Sequence, residues 1–434
     1  MKLLVFGGGI PTSSYRHENV TAINIVMHEI IRELISRGHE IAYQCIMDRS
    51  LTRSELTSSE AEALQELKKG GVHVFEPLFP KDYVSYAPVR LRTFRMLWDR
   101  KLRMLQFYPS ICLEREIQER MKGFNVDAIL SLWTNDALAA TQQIDIPKVA
   151  YHGDLDFESQ LCVLKNQDLF NPNPRRGFMR FVDLLDQRMR NVMYKRTHVA
   201  LMRGVDFVAN ITDRNAKFYT KHGHPNSIYV GNLWVDPEEA VTPSFNNETF
   251  KIIGHMGSLG NTGSAFGLKF LLQEVLPHLD EVFGDCSYEL HIIGGGKLPE
   301  ILKPHTKHPK VYMQGFVKDL NPELRSCDVF CVLNNAGPYQ AAFTRHMVGW
   351  SLGLCLVAHQ KSTLAIPEIA HEENALLGST GREVAQSIAR AALDLELNMQ
   401  LRRKGRETYE AYFTPAIVTR KLEKCLSQSI DNRR

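Results

Sequence analysis

Short apolar runs alternate along this chain with longer stretches whose apolar positions recur at helical spacing, the pattern of a parallel sheet threaded by crossover helices. The first unit sets the grammar. Residues 2–6 read as a buried strand, Gly7-Gly8-Gly9 and residues 11–14 as a loop, and residues 19–37 as a helix that Gly38 stops. Residues 40–46, 72–75, 128–132, 148–151 and 206–210 continue the strand series. From about residue 235 to 247 the chain turns polar and carries Pro237 and Pro243, which suits a domain boundary. The alternation then restarts, with strands predicted at 251–255, 289–293, 310–313, 329–333 and 354–358. A charged helix over 399–412 and, after a break at Phe413-Thr414-Pro415, a last helix to Cys425 close the chain. The expectation is an α/β protein with two Rossmann-like doubly wound parallel-sheet domains facing a cleft. Their expected extents are 1–235 and 250–412, with a linker at 236–249 and a terminal helix at 413–434 returning toward the first domain.

Composition narrows the function classes. A chain of 434 residues exceeds what one core usually serves, and 44% apolar with 23% charged residues is ordinary globular usage. The balance of 52 basic against 49 acidic residues, a net +3, excludes a dedicated nucleic-acid binder. Eight cysteines are scattered without zinc-site spacing, several inside apolar runs such as Cys327 to Cys331, which points to small buried hydrophobes in a reducing compartment. The first residues lack the basic and long apolar regions of a signal peptide, and no run approaches the roughly 20 apolar residues of a membrane span. A cytoplasmic location is expected. Sequons at Asn19, Asn210 and Asn247 carry little weight without secretion.

Ligands of open α/β sheets gather where strands end, so the loops that follow strands are the places to search. Gly257-Ser258-Leu259-Gly260 leads toward a helix expected to start near Phe266, and small residues there would let backbone amides approach an anion. The alternative is a flexible connector. Gly294-Gly295-Gly296-Lys297 again puts bare backbone at a strand end. Thr344 and Arg345 stand at the start of an apolar helix, where charge, dipole and fixed donors would all suit a diphosphate. The alternative is a capping threonine beside a solvated arginine.

Across about residues 250–415 these landmarks resemble, in order and spacing, the donor-binding lobe of retaining GT-B glycosyltransferases of family 4. The resemblance rests on Gly257-Ser258-Leu259, Leu276-Pro277-His278-Leu279, Leu290-His291-Ile292-Ile293-Gly294, Gly315-Phe316-Val317, Cys327-Asp328-Val329-Phe330, Thr344-Arg345 with Gly353, and Glu373-Asn374-Ala375-Leu376-Leu377. The first half is similar more loosely, through Gly7-Gly8-Gly9, Arg37-Gly38-His39-Glu40 and Asn210-Ile211-Thr212; Asn232-Leu233-Trp234-Val235-Asp236 occupies the family's hinge slot. The resemblance implies a nucleotide diphosphate sugar held by Gly257, Ser258, Leu259, Gly294, Gly295, Phe316, Gln340, Thr344 and Arg345. It implies no cofactor and no metal. Two departures bear on function. The family's two glutamates, eight positions apart, fall here on Gln340 and Val348, and its basic pair is replaced by Ser258 and by Ala265 or Phe266, leaving Arg345 as the main cation for the donor.

The resemblance also places a functional histidine near His152, with Asp154 to orient it or take a proton; the plain alternative is a capping histidine and a turn aspartate. Gly8, Gly9 and His17 are the acceptor-side candidates. Residues 90–103 mix cations with aromatic and apolar side chains, a composition that suits an anionic membrane surface or a lipid-linked acceptor, against the alternative of an ordinary domain helix. The expected activity is glycosyl transfer to a saccharide or glycolipid acceptor in polysaccharide or glycoconjugate biosynthesis. Its rivals are a GT-B-like binding protein that no longer transfers sugar and a Rossmann oxidoreductase, which the lack of a compact G-x-G-x-x-G fingerprint disfavours.

Overall fold

The computed structural model describes residues 1–13, 20–47, 55–80, 93–171, 177–237 and 248–433. Two parallel sheets organise them. The first contains β1 (Lys2–Gly7), β2 (Glu40–Cys45), β3 (His73–Val74), β4 (Ala128–Leu132), β5 (Lys148–His152), β6 (Phe207–Asn210) and β7 (Ser227–Tyr229), in the order β3-β2-β1-β4-β5-β6-β7. The second contains β8 (Thr249–Met256), β9 (Ser287–Ile293), β10 (Val311–Gly315), β11 (Val329–Val332), β12 (Leu356–His359) and β13 (Leu376–Gly378), in the order β10-β9-β8-β11-β12-β13. Strands such as β4 and β11 are buried at every residue because helices cover both faces, which is why the sequence shows them as unbroken apolar runs.

Around the first sheet lie α1 (Ala22–Ser36), α2 (Ser58–Lys69), α3 (Arg100–Phe107), α4 (Glu114–Met121), α5 (Asn135–Ala140), α6 (Asp156–Lys165), α7 (Gln167–Phe170), α8 (Gly177–Met202) and α9 (Asp213–Lys221). The second sheet carries α10 (Thr262–Phe270), α11 (Leu276–Phe283), α12 (Asn321–Arg325), α13 (Thr344–Ser351), α14 (Gly381–Leu393) and α15 (Leu395–Tyr412). Local chemistry sets their ends. Gly38 takes φ +81° after α1, and Thr212 accepts from the Asn215 amide to cap α9. The last helix, α16 (Pro415–Asp431), opens on a proline after the capping Thr414 and packs on the first lobe. Its Val418, Leu422, Cys425 and Leu426 share a core cluster with Leu3, Val5 and Tyr151, and Glu423 meets both Arg37 and His39.

Two expectations change. Edge strands β7 and β13, three residues each, are too short for a period to betray them. The helix after the Gly257 loop starts at Thr262, not near Phe266, because the Ala265 amide reaches the Asn261 carbonyl at 2.8 Å; Gly263 and Ser264 therefore lie in its first turn. Asn210 is buried with its amide nitrogen donating to Val208, Ser227 and Ile228, so it cannot accept a glycan. His17, Asn19, Asn247, residues 90–92 and most of the predicted linker lie outside the described residues. All eight cysteines are free thiols, six of them buried. Among the described residues no helix is long and apolar enough to cross a membrane.

Candidate functional site

The strand order reverses between β1 and β4 in one sheet and between β8 and β11 in the other, and ligands of such sheets bind where the carboxyl ends diverge. Loops from these ends meet across the cleft. Ser159 of α6 lies 3.1 Å from Thr262 of α10, Phe170 packs edge-on against Phe266, and the Asn232 amide donates to the Ala342 carbonyl.

On the second lobe the site centres on Arg345. Its guanidinium donates to Ser264 Oγ at 3.0 Å and lies 6.0 Å from the centre of the Phe343 ring. Gly257 has φ +110°, and a Cβ there would sit 2.6 Å from Arg345 Nη2, so only glycine lets the loop and the cation share this space. Gly294, at φ +146°, lies so close to Gly257 that a Cβ would come within 1.9 Å of its carbonyl oxygen. Three of the amides that a glycine cradle would offer are already committed within the fold. The Gly257 amide donates to Ile293, the Leu259 amide to Gly295 and the Gly294 amide to Gly315, so these loops contribute clearance and rigidity, while Ser258 is exposed at their edge. Helix α13 starts at Thr344; its preceding Phe343 makes no side-chain cap, and the Phe343 carbonyl accepts from the His346 amide at 3.1 Å.

Burial keeps His255, behind the Gly257 loop, far below the usual histidine range, with the Arg345 charge adding to the effect. His346 is likewise held down to about 4 by burial. Both are neutral at physiological pH, so Arg345 carries the positive charge here. Gln340 donates to the Gly337 carbonyl at 2.7 Å, and Val348 is 4% exposed within the core. Phe316 is exposed at the end of β10.

On the first lobe His152 ends β5 and is buried. One proton assignment satisfies the row it belongs to. Tyr108 donates to His198 Nδ1 (3.1 Å), His198 Nε2 to Tyr219 (2.6 Å), Tyr219 to His152 Nδ1 (3.5 Å), and His152 Nε2 to Asn135 Oδ1 (3.1 Å). Burial pushes His152 down to about 4, which the Gly153 carbonyl opposes. The sequence reading has Asp154 orienting this histidine; Asn135 and Tyr219 do so instead.

Asp154 faces the other lobe. The Tyr339 hydroxyl, in the loop after β11, lies beside its carboxylate, while Asp154 Oδ1 is buried without a hydrogen-bond partner. Burial raises this carboxyl to about 6; Tyr339 pulls it down, and Asp156 and Glu158 push it up. Tyr339 is the residue sequence reasoning missed, although it adjoins Gln340. Trp133, also missed, follows β4 with φ +51°, next to Gly8 and packed edge-on against Tyr151. Gly8 is exposed, whereas the Gly9 carbonyl accepts from the Tyr43 hydroxyl.

Comparison with known proteins fits this geometry. Residues 250–397 match the family described as glycosyl transferases group 1. No curated protein is similar enough to match. Among solved structures, HepE of Anabaena in complex with UDP and glucose is similar over 98% of this chain and 99% of its own, at 13% identity and a TM-score of 0.59. Sucrose-phosphate synthase of Thermosynechococcus elongatus is similar over 98% of both chains at 12% identity and 0.61. The lipopolysaccharide outer core galactosyltransferase WaaB, in its apo form, is similar over 100% of both at 13% and 0.56. The chain has the GT-B fold, and residues 250–397 of its second lobe are similar to the glycosyl transferases group 1 family.

Proposed function

We propose that the protein transfers a sugar from a nucleotide diphosphate sugar to a hydroxyl of a saccharide or lipid-linked acceptor. The observation that carries this reading is the placement of Arg345, clamped by Ser264 beside Gly257 at the uncapped start of α13. In the transfer, the bond from the anomeric carbon to the diphosphate oxygen breaks as the acceptor oxygen bonds to that carbon. The electron pair leaves with the diphosphate, whose charge Arg345 and the Thr344 and Arg345 amides take up in place of a metal. The acceptor hydroxyl lies near Gly8 and Asp154, and its proton passes to the Asp154 carboxylate. His152, neutral and fixed at both nitrogens, positions the strand end that presents Asp154. Retention at the anomeric carbon follows from the family resemblance, and so does work in polysaccharide or glycoconjugate assembly. On this reading the chain acts in the cytoplasm beside the membrane that carries its acceptor.

HepE's ligands make UDP and UDP-glucose the first probes. Thermal-shift titration with nucleoside diphosphates and their sugars, beside a transfer assay, tests the reading. Stabilisation by one of them in the native chain, lost in Arg345→Ala, supports it; indifference to every nucleotide overturns it. A second reading, a binding protein without transfer, is favoured by Gln340 turned onto Gly337 and Val348 sealed in the core. It predicts nucleotide binding without donor hydrolysis or transfer.

A further inference from the structure

Helix α8 is 26 residues long, yet its buried residues begin only at Asn191. The fourteen residues before that, about 21 Å of helix, include none that is buried. This half is not polar. Phe178, Phe181, Leu185 and Val192 are exposed at 76, 61, 53 and 51%, and helical geometry puts all four within an arc of about 60°. They lie opposite the face that Thr197, His198 and Leu201 bury.

A second exposed apolar group lies in the stretch leading into α3. Thr93 and Met96 are buried, and Arg103 donates to the Met96 and Leu97 carbonyls, which fixes a turn that sends Phe94, Leu97 and Trp98 outward. Helix α3 packs on α8, with Phe107 5.1 Å from Tyr194 between ring centres. These two segments hold eight of the nineteen large hydrophobic side chains exposed among the described residues. Residues 93–107 and 177–192 also hold seven cations against three carboxylates, a net +4 in a chain whose total is +3. The rest of the protein is therefore net negative, and the positive excess coincides with the exposed apolar groups.

We propose that the first half of α8 and the turn at 93–98 form a surface that docks on an anionic lipid bilayer. Aromatic and aliphatic side chains enter the boundary between headgroups and acyl chains, while Arg95, Arg100, Lys101 and Arg188 meet lipid phosphates. Charge argues for this occupant over a second copy of the chain, since two such faces would oppose net +4 to net +4. The proposal goes beyond the transfer reading and does not depend on donor use.

The test is flotation of the full chain with vesicles of phosphatidylcholine, alone or mixed with phosphatidylglycerol, beside Phe178→Ser/Phe181→Ser and Phe94→Ser/Trp98→Ser variants. All four positions are exposed, so both variants should melt like the native chain. The expected result is binding to the mixed vesicles that drops at least ten-fold with pure phosphatidylcholine, falls with added salt, and drops ten-fold in either variant. Native chain left unbound by anionic vesicles would overturn the proposal, as would variants that float equally well. Concentration-dependent dimers dissolved by the Phe178→Ser/Phe181→Ser pair would overturn it too, reassigning the stripe to self-association.

Discussion

Tyr339 of the second lobe stands beside the Asp154 carboxylate of the first, so that the two strand-end loops meet across the cleft. Asp154 has one unpartnered buried oxygen and a carboxyl raised by burial to about 6. A group so placed is available to a hydroxyl that enters the cleft and changes charge near working pH.

Asp154 as proton acceptor predicts a kcat/KM that rises with pH and levels above about 6. Asp154→Asn should lower it by about 10²–10⁴-fold and remove that inflection. Tyr339→Phe removes a hydroxyl that holds the carboxyl down, so it should move the inflection to higher pH while leaving transfer measurable. An unchanged profile in Tyr339→Phe would show that the hydroxyl is incidental.

Arg345→Ala should cost about 10²–10³-fold in kcat, the scale of losing one charged donor to a developing anion, and should abolish the thermal shift with nucleoside diphosphate. Arg345→Lys keeps the charge but loses the planar fork that reaches Ser264, so intermediate loss is expected. Equal activity in all three proteins would remove Arg345 from the mechanism.

Gly294→Ala puts a Cβ within 1.9 Å of the Gly257 carbonyl in a backbone region that side chains avoid. The β8 and β9 loops must separate, so loss of nucleotide binding and destabilisation of at least about 1–3 kcal/mol are expected in chemical denaturation. Gly38→Ala has open space around it and should cost only the strain of its positive φ.

Acid should weaken the fold through its buried histidines. His152 and His346 take protons near 4 when folded but near 6.5 when unfolded. Their contribution is therefore complete above 6.5 and lost as pH falls from 6.5 to 4, roughly 3 kcal/mol for each. Asp154 acts oppositely. Its raised carboxyl favours the folded state below 3.8 and loses that advantage as pH climbs through 6. With two histidines against one carboxyl, melting temperature should fall between pH 6.5 and 4; a flat profile by differential scanning fluorimetry would contradict these assignments.

Most strands were legible because burial on both faces writes them as unbroken apolar runs, and β4 spans the residues the sequence predicts. The loops bearing Gly257, Gly294 and Arg345 were legible as well, since they follow strands and collect small or charged residues. Edge strands β7 and β13 were not, because three residues hold no period. Nor was the solvent-facing stripe of α8: apolar residues at helical spacing look alike whether they face a core or water, and only packing distinguishes the two.

By itself the sequence determined the alternation of strands and helices, the two-sheet architecture and the loops where chemistry gathers, since each follows from periodicity and turn residues along a short stretch of chain. Tertiary structure alone decided the partners. Asn135 and Tyr219, not Asp154, hold His152; Tyr339 reaches Asp154 across 185 positions of chain. The Gly257 amide is already bound, so the glycine serves Arg345 as space and not as a donor. Hydrogen bonds and burial are fixed by which surfaces meet on folding, and no local pattern encodes that meeting.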